Sequence, residues 1–260
     1  MLIISKSNGE IVQANPEIVL FDKDGTLIDV HHYWSSMLRL RGSLITEKWF
    51  KNHCKKNSIE RELIEAMGID LLSGKIKVSG PVGIKSRKFI ENIASNIVSK
   101  NGVSIEDKEM EDIFLEVDRK TSKNMTPLLK LLPGVSNLLK KLENTGIAMV
   151  VVSTDITSRV FIALKCLKID HFFSEIIGGD EVQNTKPFPD LALLVSSRTG
   201  IGVDKMMVIG DNPVDIKMGL SANINLNIAV LTGLSDNKSF NDLSCIVIDN
   251  LKSIEVDYVK

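Results

Sequence analysis

Two pairs of acidic residues stand at spacings that chemistry can use. Asp22 and Asp24 flank Lys23 in the run FDKDGTL, and Asp211 and Asp215 lie four apart in IGDNPVD. Ser153 closes the run VVVS, and Lys186 sits in TKPFPD. Carboxylates can hold a hard divalent cation or move protons, while an ammonium and a hydroxyl can grip an anion. Taken singly, each has an ordinary structural reading. A DxD pair can start a turn, Ser153 and Asp155 can cap a helix, a lone lysine is usually solvated, and GDNPVD can be a turn followed by a helix cap. What joins them is position, because every one of these groups follows an apolar run rich in β-formers or the loop after one.

The elements that would hold these groups are readable from periodicity. IVLFD at 18–22 is a short, fully apolar run ending in acidic and glycine residues, as expected of a strand buried on both faces. From Ile147 the pattern alternates: strand IAMVVVS, helix TSRVFIALKCL, strand SEIIGG, helix FPDLALLVSSRTG, strand MMVIGD, helix PVDIKMGLSA, strand NIAVLTG. Such alternation predicts a doubly wound parallel α/β sheet with right-handed crossovers, and ligands in such sheets sit beyond the carboxyl ends of the strands. Four strand ends in order therefore deliver carboxylates, a hydroxyl, a cation and two more carboxylates to one rim.

Between the first strand and the rest, the text is helical: HHYWSSMLRLRGSLITEKWF, SIERELIEAMGI, KSRKFIENIASNIVSK and IEDKEMEDIFLEVDRK. This predicts an inserted all-helical domain over 29–123, with the α/β core formed by 1–28 and 124–260. Asn101-Gly102 should separate the last two helices, with Ser104 as the N-cap of the second. TPLLKLLPGV reads as the return linker, leading into a helix through Asn144. The N-terminal LIISKSNGEIVQ reads as a hairpin turning at Asn8-Gly9, a pair suited to a type I′ turn. The tail, CIVID and LKSIEV, should add one more edge strand and a short helix.

With FDKDGTL, Ser153 after VVV, Lys186 in TKPFPD and IGDNPVD in this order, the sequence resembles the haloacid dehalogenase (HAD) superfamily, in its phosphatase branch of phosphoglycolate phosphatase type. The resemblance implies a Rossmann-like core with a C1 helical cap that selects substrate, and Mg²⁺-dependent hydrolysis of a small phosphomonoester through an aspartyl-phosphate. Asp22 would be the nucleophile. Mg²⁺ would be held by Asp22, the backbone carbonyl of Asp24, and Asp211, with Asp215 behind them orienting a metal water or Lys186. Ser153 and Lys186 would bind the phosphoryl oxygens. Thr154 stands where many such relatives have Asn. Asp24, two residues from the nucleophile, is placed to protonate the leaving alcohol and then deprotonate water. Thr26 is expected to fix the turn by bonding its own backbone.

Composition narrows the partners. Lys+Arg 32 against Asp+Glu 33 leaves a net charge of -1, so no overall field recruits nucleic acid or an anionic membrane, and anion recognition must be local. No apolar run is long enough to span a bilayer, and MLIISKSNGE lacks signal-peptide features, which predicts a cytoplasmic protein. Cys54, Cys166 and Cys245 are dispersed and read as idle thiols. The expected partner is a small phosphorylated metabolite, with the chain a monomer or homodimer. Within the cap, Lys75, Lys77, Lys85, Arg87 and Lys88 among Gly74, Gly80 and Gly83 read either as a cationic loop for an anionic substrate or as a solvated connection. His31, His32, Tyr33 and Trp34 could touch the leaving group or pack the first cap helix. Two other functions fit the same residues. One is phosphotransfer between hydroxyls, as in β-phosphoglucomutases, and the other is a non-catalytic phosphoester-binding protein.

Overall fold

A computed structural model describes residues 1–77, 79–82 and 85–257. Its contacts divide the chain into two compact units, Met1–Val30 with Leu129–Lys260, and His31–Leu128. The second boundary falls after Leu128, past the expected 123, because a short 3₁₀ turn at Thr126–Leu128 still belongs with the helices. Among the described residues no helix is long and apolar enough to cross a membrane.

The first unit is built on a six-stranded sheet. β3 (Ile18–Phe21) is its centre and its four side chains are wholly buried, which explains the unbroken apolar text. On one side lie β4 (Ala148–Val152) and β5 (Glu175–Ile177), and on the other β6 (Met206–Gly210), β7 (Leu226–Val230) and β8 (Ile246–Ile248). All five pairings are parallel, with Phe21 level with Val151 and Ile209. The chain thus reverses its direction of growth at β3, and the switch point lies between the carboxyl ends of β3 and β6. Four helices connect and cover the strands: α5 (Val135–Glu143), α6 (Thr157–Cys166), α7 (Asp190–Thr199) and α8 (Pro213–Ser221). This is the doubly wound α/β core that the alternation predicts.

A second, antiparallel sheet stands apart from it: β1 (Leu2–Ser5) between β2 (Ile11–Ala14) and the C-terminal β9 (Ile254–Val256). The N-terminal hairpin exists, but its turn is not type I′. Only Gly9 has a positive φ, 89°, and the loop closes over five residues through Lys6 N to Glu10 O at 2.8 Å and Gly9 N to Lys6 O at 2.9 Å. A single left-handed glycine after an ordinary turn satisfies a five-residue loop, so Asn8 need not leave the right-handed region. Of the tail, CIVID gives β8, while LKSIEV forms a 3₁₀ turn and then β9.

The second unit contains α1 (Val30–Trp49), α2 (Lys56–Ala66), α3 (Arg87–Lys100) and α4 (Asp107–Lys123). Gly102, at φ 88°, ends α3 as expected. The N-cap of α4 is Glu106 rather than Ser104, because Glu106 and Glu109 form a reciprocal capping box in which Glu106 N donates to Glu109 at 3.1 Å. Tyr33 and Trp34 pack edge to face, 5.4 Å apart, against Met37, Val117 and Leu128. Those two aromatics are therefore part of the packing of the first helix.

Candidate active site

Asp22 follows β3 directly, and its N–H donates to Ile209 O at 2.9 Å, so the β3–β6 ladder runs to the last residue before the reactive loop. The loop then folds tightly. Lys23 O accepts from Leu27 N at 3.0 Å and Ile28 N at 2.9 Å, and Gly25 N donates to Ile28 O at 2.8 Å. Thr232, just past β7, donates its hydroxyl to Gly25 O at 2.6 Å. Thr26 does not play its expected part. Its hydroxyl is buried and finds no hydrogen-bond partner among the described residues, because backbone bonds and Thr232 already close the turn.

At the switch point Lys186 is the hub. Its ammonium lies 2.6 Å from Asp22 Oδ1 and 2.6 Å from Asp215 Oδ1, with the lysine side chain 1% exposed. Burial alone would lower this lysine, but the negative charges of Asp215 and Asp22 outweigh it and hold the ammonium above its usual range. The loop presenting it is pinned where Asp190, the first residue of α7, accepts from Asn184 N and Nδ2 at 3.1 Å each. Asp215 has two tasks. Its Oδ2 accepts from Asn212 N at 3.0 Å in a capping box on α8, and its Oδ1 takes Lys186. The ordinary helix-cap reading and the functional one describe the same side chain.

Asp22, Asp211 and Asp215 each offer a carboxylate oxygen, all within 4.8 Å of one another. Burial first, then the charges of Asp22 and Asp215, push the Asp211 carboxyl well above the usual range. Three crowded carboxylates facing one ammonium lack positive charge, and a hard divalent cation such as Mg²⁺ fits that donor set. Bare backbone makes room for Asp211: Gly25 on the β3 loop, at φ 88°, and Gly233 beyond β7 both press against its carboxyl.

At the end of β4, Ser153 is 3% exposed, and its hydroxyl oxygen accepts from Asp155 N at 3.2 Å. That contact uses a lone pair and leaves the hydroxyl hydrogen for another acceptor. The following helix lacks its own side-chain cap. Asp180, after β5, supplies one by accepting from Thr157 N at 2.8 Å and Thr157 Oγ1 at 3.0 Å. Asp24 keeps 46% of its side chain exposed while protein packs around its inner side, and that packing first and then the charge of Asp22 raise its carboxyl against the pull of Lys23.

The structure thus brings Asp22, Lys186, Asp211 and Asp215 into one cluster, and links Asp24 to the Ser153 loop through Lys23, which lies 3.0 Å from both Asp24 and Asp155. Sequence reasoning missed Lys23, Thr232 and Gly233. Thr232 and Gly233 had a signal, since NIAVLTG ends one more strand on the same rim. In the helical unit the basic segment pairs largely with its own carboxylates: Lys77 with Glu65, Arg87 with Glu91 and Asp118, Lys88 with Asp107. This favours the structural reading of that segment; its Gly83 lies outside the described residues.

Residues 80–229 match the family described as haloacid dehalogenase-like hydrolase. Over 92 residues the chain is 40% identical to phosphoglycolate phosphatase of Escherichia coli (strain K12), a match that takes in 35% of this chain and 36% of that protein. The chain therefore spans little more than a third of that curated relative. Among solved structures, a provisionally assigned beta-phosphoglucomutase from Thermotoga maritima superposes with a TM-score of 0.63 at 20% identity, over 90% of this chain and 94% of that one. A predicted phosphoglycolate phosphatase from Haemophilus somnus 129pt gives 0.62 at 18% identity, over 92% and 96%. At these identities the likeness to solved structures is one of fold.

Proposed function

The chain belongs to the haloacid dehalogenase-like hydrolases, and on that premise we propose that it is a Mg²⁺-dependent phosphatase of small phosphorylated metabolites, acting through an aspartyl-phosphate on Asp22. The observation that supports this most is the buried Lys186 ammonium bonded at 2.6 Å to both Asp22 and Asp215. An unassisted carboxylate is repelled by a phosphate dianion, and a fixed cation touching the nucleophile is what such an attack requires. When bound, Mg²⁺ would supply the remaining positive charge, held by Asp22, Asp211 and the backbone carbonyl of Asp24, with Asp215 behind them.

The chain's own groups divide the work. Asp22 attacks phosphorus in line with the leaving oxygen, and Lys186 and the Ser153 hydroxyl donate to the phosphoryl oxygens as charge spreads over them. Asp24 gives its proton to the departing alcohol, which breaks the P–O bond and leaves the phosphoryl group on Asp22. Asp24, now ionised, takes a proton from water as it attacks the acyl phosphate, releasing phosphate and restoring both carboxyls. The helical unit 31–128 is assigned the choice of substrate, a role the inserted segment is free to vary without touching the rim. A cytoplasmic monomer or homodimer acting on metabolites, with no nucleic acid or membrane partner, is the setting this reading assumes.

Phosphate release from a panel of phosphomonoesters, 2-phosphoglycolate included because of the curated relative, tests the proposal. Turnover that requires Mg²⁺ and is lost in Asp22→Asn supports it. Isomerisation of hexose phosphates without phosphate release would replace it with phosphotransfer, and tight binding without turnover would replace it with a binding protein.

A further inference from the structure

Lys23 stands between the two carboxylates of the first motif, and its side chain is only 7% exposed. A lysine taken from water needs partners, and it has two: Asp24 Oδ2 and Asp155 Oδ2, each at 3.0 Å from Nζ. They differ in how firmly they are held. The Asp155 side chain is 21% exposed, and its Oδ1 accepts from Ile156 N at 2.9 Å and faces Arg159 Nε at 3.6 Å. Its N–H donates to Ser153 Oγ at 3.2 Å and its carbonyl accepts from Gly179 N at 2.9 Å. The Asp24 side chain, by contrast, is 46% exposed on a loop, with Lys23 gripping one of its oxygens. The ammonium therefore carries the stiffness of the β4 end across to an otherwise loosely held carboxyl on the β3 loop.

We propose that Lys23, anchored on Asp155, is a positioning residue that orients the Asp24 carboxyl for proton transfer. This rests on the assignment of Asp24 as acid and base under the proposed function. An aspartate has two side-chain torsions, and a carboxyl free to turn spends much of its time with neither oxygen on the leaving group. With one oxygen tied to Lys23, the other is held in one direction, and misplacing a reacting group by about an ångström costs on the order of 10²-fold in rate. The backbone of Lys23 separately closes the loop through Leu27 and Ile28, so deleting the ammonium leaves the turn its main-chain bonds.

Lys23→Met keeps the stem and removes the charge, Lys23→Arg keeps the charge, and Asp155→Asn weakens the anchor. Each is assayed with an alkyl phosphomonoester and with p-nitrophenyl phosphate. Lys23→Met is expected to lower kcat on the alkyl ester by about ten- to a hundredfold with KM within about twofold, and to slow release of the better leaving group far less. Lys23→Arg should recover most of the loss and Asp155→Asn should fall between. In the Asp24→Asn background, Lys23→Met should cost at most about twofold more, because the group it positions is gone. In metal-free protein the ¹³Cγ resonance of Asp24 should move in Lys23→Met while that of Asp211 stays. A loss equal for both leaving groups and additive with Asp24→Asn would overturn the inference and leave Lys23 a structural residue. So would wild-type rates in Lys23→Met while Asp24→Asn is slow, an outcome that spares the acid–base reading. Leaving-group indifference of Asp24→Asn itself would instead sink that reading, and the inference with it. Should Lys23→Met fail to fold, Asp155→Asn puts the same comparisons to the intact lysine.

Discussion

A Cβ added to Gly25 would lie 2.8 Å from Asp211 Oδ1 and closer still to its Cγ, so the backbone of the first loop is packed directly on the carboxyl at the end of β6. From the far side Gly233 does the same, with an added Cβ falling 2.6 Å from Asp211 Cβ. Gly25→Ala also forces a side chain into φ 88°, a strain of about 1–3 kcal/mol before any steric cost. We expect it to lower Tm and to weaken Mg²⁺ binding together, read by thermal unfolding and metal titration. A stable variant with unaltered Mg²⁺ affinity would show that Asp211 is not held where the metal needs it.

The metal-free cluster should make stability fall as pH rises. Asp211 is raised in the folded chain above its ordinary 3.8, so the folded state binds more protons than the unfolded one between that value and its raised one. The contribution is present at low pH and is lost as pH climbs through the raised value. In EDTA, the stability of wild type relative to Asp211→Asn should therefore decline as pH rises from about 3.8 through that raised value. Saturating Mg²⁺ at the upper end should restore about 2.7 kcal/mol at a hundredfold excess over Kd. Denaturant melts of both proteins would decide it, and a pH-independent difference with no gain from Mg²⁺ goes against a cation site here.

Asp22→Asn should abolish turnover while leaving Tm within a few degrees, because the amide is isosteric but does not attack phosphorus. Beryllofluoride, which mimics an acyl phosphate, should bind wild type and not the variant. Residual activity above about 1% would point to direct attack by water.

Asp24→Asn should cost about 10²–10⁴ with alkyl esters, which need protonation of the leaving oxygen. With activated aryl phosphates the first step should survive and hydrolysis of the acyl phosphate should not. Rapid quench should show a burst of phenol followed by slow turnover. Uniform slowing without a burst, together with weakened metal binding, would make Asp24 a ligand and not the acid.

The core strands and the polar residues at their ends were readable in the sequence because both signals are local. A buried parallel strand is apolar throughout, and the next residue must be polar if it faces the rim. What was not readable depended on partners distant in the chain. β9 pairs with β1 across nearly the whole sequence, and nothing in LKSIEV points to Leu2 or Ile4. Asp180 caps a helix that begins at Thr157, so the missing cap could not be found beside it. Lys23 shows in the sequence only as the spacer between two carboxylates, because the partner that gives it a role, Asp155, lies 132 residues further along the chain. At Thr26 the sequence offers a local bond after the DxDG turn, whereas the bond that closes it comes from Thr232, far along the chain, to Gly25 O.

The two ends of the helical insertion leave the sheet unit side by side. Ile28 bridges Leu131, Asp29 N donates to Lys130 O at 2.8 Å, and Leu132 N donates to Leu27 O at 3.0 Å. The entropy of closing that long excursion is thus met by bonds belonging to the sheet unit, whatever sequence lies between. For inheritance this makes the segment a cassette: lengthened, shortened or exchanged at its paired roots, it can change while the strand ends of the sheet unit are passed on unaltered.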